Sequence, residues 1–487
     1  MALSTNDHSP FITRITQRLA PMAVPLIVGC ALFMQMLDST VIATALPAMA
    51  HSFGEDPVRL NVAITSYLLS AAVFVPICGW AADRFGARQV FASAIVLFTI
   101  SSTLCGLSQT LGQMVAGRML QGFAGAMMVP VGRIVLLRTV SKSELVRAMS
   151  FLSMPALLGP IFGPAVGGFL VEYGSWRWIF FMNLPIGVLG VILALRYIHD
   201  TEAGQPQPLD VIGFLLTAVC LGTLVFCFEA VGHGVLSTPM VLGLLALGVV
   251  CGLLYVRHAE RSPHPILDLR LLKIPTFSIA LLGGNLCRLA VGAVPFLLAM
   301  QLQVAFGMGP FAAGMLTFAG ALGALMMKMS ASPIIRRFGF RRTLVVNAFL
   351  TGASIIGCVL FTSVTPHAVI IIVLLLGGFF RSLQLTGVNS LAYADIGPEQ
   401  MGRATGMASA VQQLAISLGV AVAAFALKVS MATRGTTTLD AYDVIPGFLV
   451  IGITMMMSVI FFSRLSANAG SSVSGKREPP PTPCFSG

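Results

Sequence analysis

Residues 79–88 read Gly79-Trp80-Ala81-Ala82-Asp83-Arg84-Phe85-Gly86-Ala87-Arg88, and residues 332–341 read Ser332-Pro333-Ile334-Ile335-Arg336-Arg337-Phe338-Gly339-Phe340-Arg341. Arg-Phe-Gly-x-Arg recurs at one phase, and each copy interrupts two long apolar runs. Gly79 and Gly86 let the chain turn tightly and let helices approach closely. Arg336 stands where Asp83 stands in the first copy, so the two loops differ in charge.

Working outward, a membrane crossing needs roughly 20 mainly apolar residues. The chain has 487 residues, 56% hydrophobic and 10% charged, where a soluble domain carries about 25% charged residues. The apolar runs predict fourteen spans: 21–46, 60–80, 89–108, 112–134, 147–171, 177–197, 210–231, 238–256, 277–300, 310–331, 343–362, 367–391, 403–427 and 444–463. The two quoted loops follow spans 2 and 10. Their spacing predicts two six-span bundles with spans 7 and 8 inserted between them, a parallel repeat of the kind that marks many secondary transporters. The expected fold class is an all-α integral membrane protein. Its expected parts are a cytoplasmic tail over 1–20, a first bundle over 21–197, a linker with two extra spans over 198–276, a second bundle over 277–464, and a disordered cytoplasmic tail over 465–487.

An even span count puts both chain ends on one side of the membrane. Most of the 29 Lys and Arg residues then fall on that side, and outside the spans only Arg59, Arg177, Lys428 and Arg434 fall on the other. The positive-inside rule makes the basic side cytoplasmic, and it accounts for the basic balance without a nucleic-acid partner. Residues 1–20 are polar and lead into a run too long for a cleavable signal. Nine cysteines, all but Cys484 in apolar runs, have no paired spacing and read as small packing residues. No His/Cys/Asp cluster has metal spacing, and no Gly-x-Ser-x-Gly elbow or nucleotide-binding loop occurs. The expectation is therefore no enzyme, no metal and no cofactor.

Charges inside spans are costly and mark functional sites. Asp38 lies in Phe33–Pro47, roughly 25 Å along its span from the basic side at 1.5 Å per residue. Arg118 lies roughly 9 Å from the opposite end of span 4, so both occupy the outer half. A guanidinium there either snorkels outward or partners the acid. Arg288 and Arg381 fall near mid-depth in spans 9 and 12. Lys328 and Arg133 are expected to snorkel to the basic side. Gln35, Gln121, Asn285, Gln384 and Asn389 are candidate polar companions in a substrate cavity. Trp176 and Trp178 are expected in the interfacial aromatic belt.

Residues 79–88 resemble the signature loop of the major facilitator superfamily. The resemblance implies that Gly79, Asp83, Arg84, Gly86 and Arg88 form a gating loop that latches one bundle to the other. Gly117–Gly125 resembles the family's motif with a membrane-embedded arginine associated with proton coupling. Gly159-Pro160-Ile161-Phe162-Gly163-Pro164-Ala165-Val166-Gly167-Gly168 resembles the motif carried by its antiporters. Leu37–Val41 and Ser175–Gly187 resemble the first-span motif and the start of span 6 in the 14-span drug:proton antiporters, although Ala43 and Thr44 stand where an asparagine is usual. Gly125–Arg133 is most similar to the MdtD-type branch. In this fold spans 1, 4, 9 and 12 line the central cavity, and these are the spans that hold Asp38, Arg118, Arg288 and Arg381.

The resemblance implies a proton-coupled antiporter that exports small molecules across the bacterial inner membrane by alternating access. Asp38 would carry the proton and Arg118 would tune it. The alternative is an organic-anion, carboxylate-type carrier with different ion coupling, suggested by the excess of cavity arginines. The expected partners are a small-molecule substrate, protons and the lipid bilayer. A monomer is expected, with any accessory protein left open.

Overall fold

The computed structural model describes residues 10–55, 60–198, 208–233, 237–435, 439–466 and 468–474. No strand occurs among them. In hydrocarbon every backbone amide must be satisfied within its own segment, which leaves long helices as the solution for such apolar runs. The spanning helices are α1 (Pro10–Phe53), α2 (Val62–Phe85, with a 3-10 turn at Val75–Ile77), α3 (Ala87–Leu107), α4 (Leu111–Thr139), α5 (Leu145–Tyr173), α6 (Trp178–Tyr197), α7 (Val211–His233), α8 (Thr238–Arg261), α9 (Pro275–Ala299), α10 (Pro310–Phe338), α11 (Phe340–Leu360), α12 (His367–Ala392), α13 (Met401–Arg434) and α14 (Ile445–Phe462). Thirteen of them are long and apolar enough to cross a membrane among the described residues. The remaining one, α5, occupies the expected fifth span.

The repeat is visible in three dimensions. In the first bundle α1 packs on α4, α5 and α6, α2 on α4, and α3 on α4 and α6. Shifting each number by eight gives the second bundle: α9 on α12, α13 and α14, α10 on α12, and α11 on α12 and α14. The two quoted loops turn the same way. Gly86 has φ +87° and Gly339 has φ +76°, a left-handed region that residues with a Cβ rarely adopt. A glycine is therefore required at this point of both copies.

Close packing fixes the direction of α1. Cβ atoms added at Gly29, Gly159 and Gly163 would meet Leu152, Met36 and Thr40 respectively. Register thus advances together along α1 and α5, so the two run parallel. The start of α1 shares a face with the start of α5 and with the Arg-rich loops; we call this the basic face. The inserted helix α7 packs on both α2 and α13, across the seam between bundles, and α8 packs on α7.

Both ends of the chain depart from the expected tails. Residues 10–20 are the first turns of α1, and residues 1–9 lie outside the described residues. Residues 471–474 form a short helix that packs against α10, the start of α5 and the 142–144 turn. Val473 is buried there, so the segment expected to be disordered from residue 465 is anchored by an apolar side chain. Residues 475–487 lie outside the described residues.

Candidate functional site

Asp38 is buried, and both its oxygens are occupied. Arg118 Nη1 donates to Oδ2 at 2.6 Å. Gln121 Nε2 and Asn183 Nδ2 donate to Oδ1 at 2.9 and 3.2 Å. Arg118 Nη1 also donates to Gln121 Oε1 at 2.7 Å, and its Nε to the Ala63 carbonyl at 3.2 Å. The guanidinium lies over the Tyr67 ring at 4.5 Å, and Gln35 donates to the Tyr67 hydroxyl at 2.6 Å. Asn183 in turn donates to Ser102 Oγ at 2.9 Å. Helices α1, α2, α3, α4 and α6 thus converge on one carboxylate. A buried acid paired and hydrogen-bonded in this way has its charge compensated in place.

The candidate antiporter motif lies against the same stretch of α1. A Cβ on Gly159 would come within 2.7 Å of Met36 Cβ and 2.8 Å of the Leu37 amide, and one on Gly163 within 2.1 Å of Thr40 Oγ1. The two glycines bracket Asp38 and allow α5 to touch α1 at its level. Gly167 is buried, while a Cβ on Gly168 would meet nothing within 4 Å. The side chains of Pro160 and Pro164 lie outside the described residues.

The candidate gating residues sit where the bundles meet at the basic face. Asp83 accepts from Arg138 of α4 at 2.6 Å. Gly79 of α2 faces α13 so closely that a Cβ would stand 2.3 Å from the Gly402 carbonyl oxygen. Lys142 Nζ donates to the Ala394 carbonyl across the seam at 3.0 Å. Arg84 is exposed, and Arg88 bonds the Leu195 carbonyl within its own bundle. Contact between α2 and α13 is concentrated in the half of α2 from Val75 to Phe85. The basic face is therefore closed in this conformation. A cavity of about 880 Å³ opens there, lined among others by Asp83, Arg84, Arg138, Lys142, Tyr393, Glu399 and Arg403. Asp38, Arg118, Arg288 and Arg381 lie outside its lining.

The second bundle uses its polar residues differently. Arg288 is buried, with Nη2 donating to Asn389 Oδ1 at 2.5 Å and Nη1 to Asn285 Oδ1 at 3.4 Å. Its companions are thus neutral amides. Arg381 is partly exposed beside Gly320, and no ion pair engages it among the described residues. Gln384 is buried, donating to the Leu344 carbonyl at 3.3 Å and to Cys287 Sγ at 3.7 Å and accepting from Asn347 at 2.8 Å. It ties α12 to α11 and α9. Gln121 belongs to the Asp38 cluster. Lys328 and Arg133 do not snorkel: they are 8% and 7% exposed, and Lys328 Nζ donates to Thr386 Oγ1 at 2.8 Å. Helices α10 and α4 run on to Phe338 and Thr139, past the expected span ends at 331 and 134. Both side chains therefore start deeper than expected. Trp176 is buried against Phe53 and Phe180, and only Trp178 is exposed like a belt residue.

Comparison with known proteins agrees with this architecture. The family model described as Major Facilitator Superfamily matches residues 28–420 and 280–484. A relative from Escherichia fergusonii named for multidrug resistance, MdtD, is 36% identical over 459 residues, covering 93% of this chain and 96% of its own. MdtD of Escherichia coli O6:H1 is 38% identical over 403 residues, covering 82% and 85%.

The chain belongs to the Major Facilitator Superfamily.

Its match to MdtD proteins agrees with the branch read from Gly125–Arg133. Among solved structures of the superfamily fold, the human organic anion transporter MFSD10 aligns with TM-score 0.65 at 16% identity, covering 91% of this chain and 99% of that one. The proton:xylose symporter XylE aligns with TM-score 0.63 at 15% identity, covering 93% and 98%. The chain is a multi-pass membrane transporter related to multidrug efflux proteins, and superfamily members of this kind are not enzymes.

The sequence reading missed Asn183, Tyr67 and Ser102 around Asp38, and Arg138 as the partner of Asp83. Asn183 carried a usable signal. It is an amide inside an apolar run, where an unpaired polar group is costly and so implies a partner.

Proposed function

We propose that this transporter is a proton-coupled antiporter that exports small molecules across the bacterial inner membrane, with its basic face and both chain ends in the cytoplasm. The observation that carries the reading is Asp38: one acid, buried at the convergence of five helices, held by Arg118, Gln121 and Asn183. Protonation neutralises the carboxylate and removes the ion pair, which leaves the Arg118 guanidinium buried without its counter-charge. That is a large electrostatic change at a helix junction, and it favours rearrangement of α1 against α4. Gly159 and Gly163 place α5 directly on the segment of α1 that would respond. Asp83 and Gly79 against Gly402 of α13, with the Lys142–Ala394 hydrogen bond, supply a latch that must open when the central cavity turns toward the cytoplasm.

Flux driven by an imposed proton gradient in proteoliposomes tests this reading. The wild type should export substrate against a gradient, and Asp38→Asn should lose gradient-driven flux while retaining exchange down a substrate gradient. Unchanged gradient-driven flux in that variant would remove Asp38 from coupling. A second reading, an organic-anion carrier with different ion coupling, draws support from Arg288, Arg381 and Lys328, which have no acid partner among the described residues. It expects carboxylate transport that is indifferent to Asp38→Asn.

A further inference from the structure

Two seams run between the bundles, and each is bridged by an element that belongs to neither bundle. Along one seam α2 faces α13, and the inserted α7 packs on both. Along the other α5 faces α10, and the chain beyond α14 lies against both at the basic face. Leu465 is buried at the end of α14, and the Ala469 amide donates to the Ser466 carbonyl at 3.1 Å in the turn that follows. Gly470 then takes φ +69°. It is buried, and a Cβ there would stand 2.7 Å from Phe340 Cδ2 and 3.3 Å from Leu391 Cδ1. Phe340 belongs to the second Arg-Phe-Gly-Phe-Arg loop and Leu391 to the end of α12, so this point is fixed on the second bundle. Val473 follows on the short helix that packs against the 142–144 turn and the start of α5 as well as on α10. It is 1% exposed, and it is the one apolar side chain in Ser471-Ser472-Val473-Ser474. The same 142–144 turn carries Lys142, which bonds the Ala394 carbonyl of the second bundle. Residues 468–474 therefore hold the second bundle at Gly470 and the first through the helix that carries Val473.

We propose that residues 468–474 are a strap that holds the basic face closed across the α5–α10 seam. The Gly470 anchor moves with the second bundle, because Phe340, Leu391 and the covalent link to α14 all belong to it. The joint to the first bundle is the one that parts when the face opens. Parting uncovers Val473, and exposing an apolar side chain to water is unfavourable. The strap therefore weights the closed conformation, as any contact made in only one of two states must. A grip of one valine is weak enough to release in every cycle, so it sets the ratio of the two states without locking either. This inference rests on the alternating-access part of the proposed function and is independent of proton coupling and of the charge of the substrate.

The test uses the purified full chain in lipid nanodiscs, with no substrate and no proton gradient. Spin labels are carried on keto-bearing unnatural side chains at positions 89 and 399, which leaves the native cysteines in place. Gln89 and Glu399 are exposed at the basic face in opposite bundles, so the distance between the labels reads closure. Val473→Ser should raise the ratio of long to short distances about tenfold, the factor that follows from uncovering one valine side chain. Val473→Ile keeps the apolar contact and should keep the wild-type ratio. Gly470→Val, strained at this φ and driven into Phe340, should shift the ratio in the same direction as Val473→Ser. Asn468→Ala, at an exposed side chain of the same segment, should not shift it. Gly79→Leu opens the face independently, because its side chain has no room against the Gly402 carbonyl. Long distances in Gly79→Leu together with a wild-type ratio in Val473→Ser overturn the strap, even if Val473→Ser melts earlier. Equal shifts in Val473→Ser and Asn468→Ala overturn it too. Short distances alone in every variant, Gly79→Leu included, overturn alternating access at this face and the strap with it, so the two proposals fail separately.

Discussion

Arg118 and Arg133 stand on the same helix, α4, and their surroundings are opposite. Arg118 is fully buried and meets a carboxylate, an amide oxygen, a backbone carbonyl and an aromatic face. Arg133 is nearly as buried and meets no such partner among the described residues. One guanidinium is electrostatically finished by the protein, and the other is left unfinished among the described residues. A helix can carry both because each side chain faces a different neighbour. Arg118 faces α1, which brings Asp38, and Arg133 stands further along the helix with none of these partners among the described residues. The pattern Arg-x-Leu-Gln makes the same point on equivalent helices of the two bundles. In α4 its glutamine completes an ion pair, while in α12 Gln384 turns to pack against α11.

The sharpest way to break the contrast is to delete each guanidinium while keeping the length of the side chain. Arg118→Met strands the Asp38 carboxylate in a buried site, where removing one partner of an ion pair costs about 3–5 kcal/mol. Adding Asp38→Asn to that variant should restore much of the loss, because no buried charge then remains. Both can be followed by unfolding in mild detergent. Arg133→Met should behave with the opposite sign. It relieves an unmet buried donor, for an expected gain of about 1–3 kcal/mol. If both variants lose stability equally, Arg133 has a partner as good as that of Arg118 and the distinction collapses.

The legible parts of this molecule were those where one residue type has few other uses. Gly86 and Gly339 mark a backbone conformation that nearly excludes other residues, so the loops announced the repeat and hence the fold. Asp38 stood out because no other acid lies so deep in an apolar run. The partners were less legible. Asn183 reaches Asp38 from 145 residues away, and no local pattern encodes a contact of that range. Arg133 and Lys328 were misplaced for a simpler reason. Apolar runs define the hydrocarbon-facing part of a helix, but α4 and α10 continue beyond it as ordinary helix, so a side chain near the end of the run is not near the end of the helix. Trp176 was misplaced because an interfacial tryptophan and a core tryptophan look alike until Phe53 packs against one of them.

A smaller effect tests whether the Asp38 cluster depends on close approach of α5. Gly163→Ala would put a methyl group 2.1 Å from Thr40 Oγ1. Overpacking of this kind costs about 1–3 kcal/mol, and the displacement falls two residues from Asp38. Gradient-driven flux should therefore drop more than substrate exchange does. Gly168→Ala, in the same motif but with open space around it, should leave both unchanged. Equal damage from the two would mean that the motif acts through helix flexibility rather than through contact with α1.

The smallest expected difference separates the two glutamines. Replacing Gln121 by Leu removes one donor from Asp38 and one acceptor from Arg118, while Gln384→Leu removes the acceptor for Asn347. Each change forfeits buried hydrogen bonds, for a stability loss of about 1–2 kcal/mol, so melting alone will not tell them apart. Transport will, because only Gln121 touches a group whose protonation is proposed to matter. Losing its amide removes one of the three side chains that hold the Asp38 carboxylate. Gradient-driven flux should then fall in Gln121→Leu and stay near the wild-type level in Gln384→Leu. A fall of similar size in both would mean that the second bundle takes part in coupling too, and that the division between a finished and an unfinished arginine is a division of structure without a division of labour.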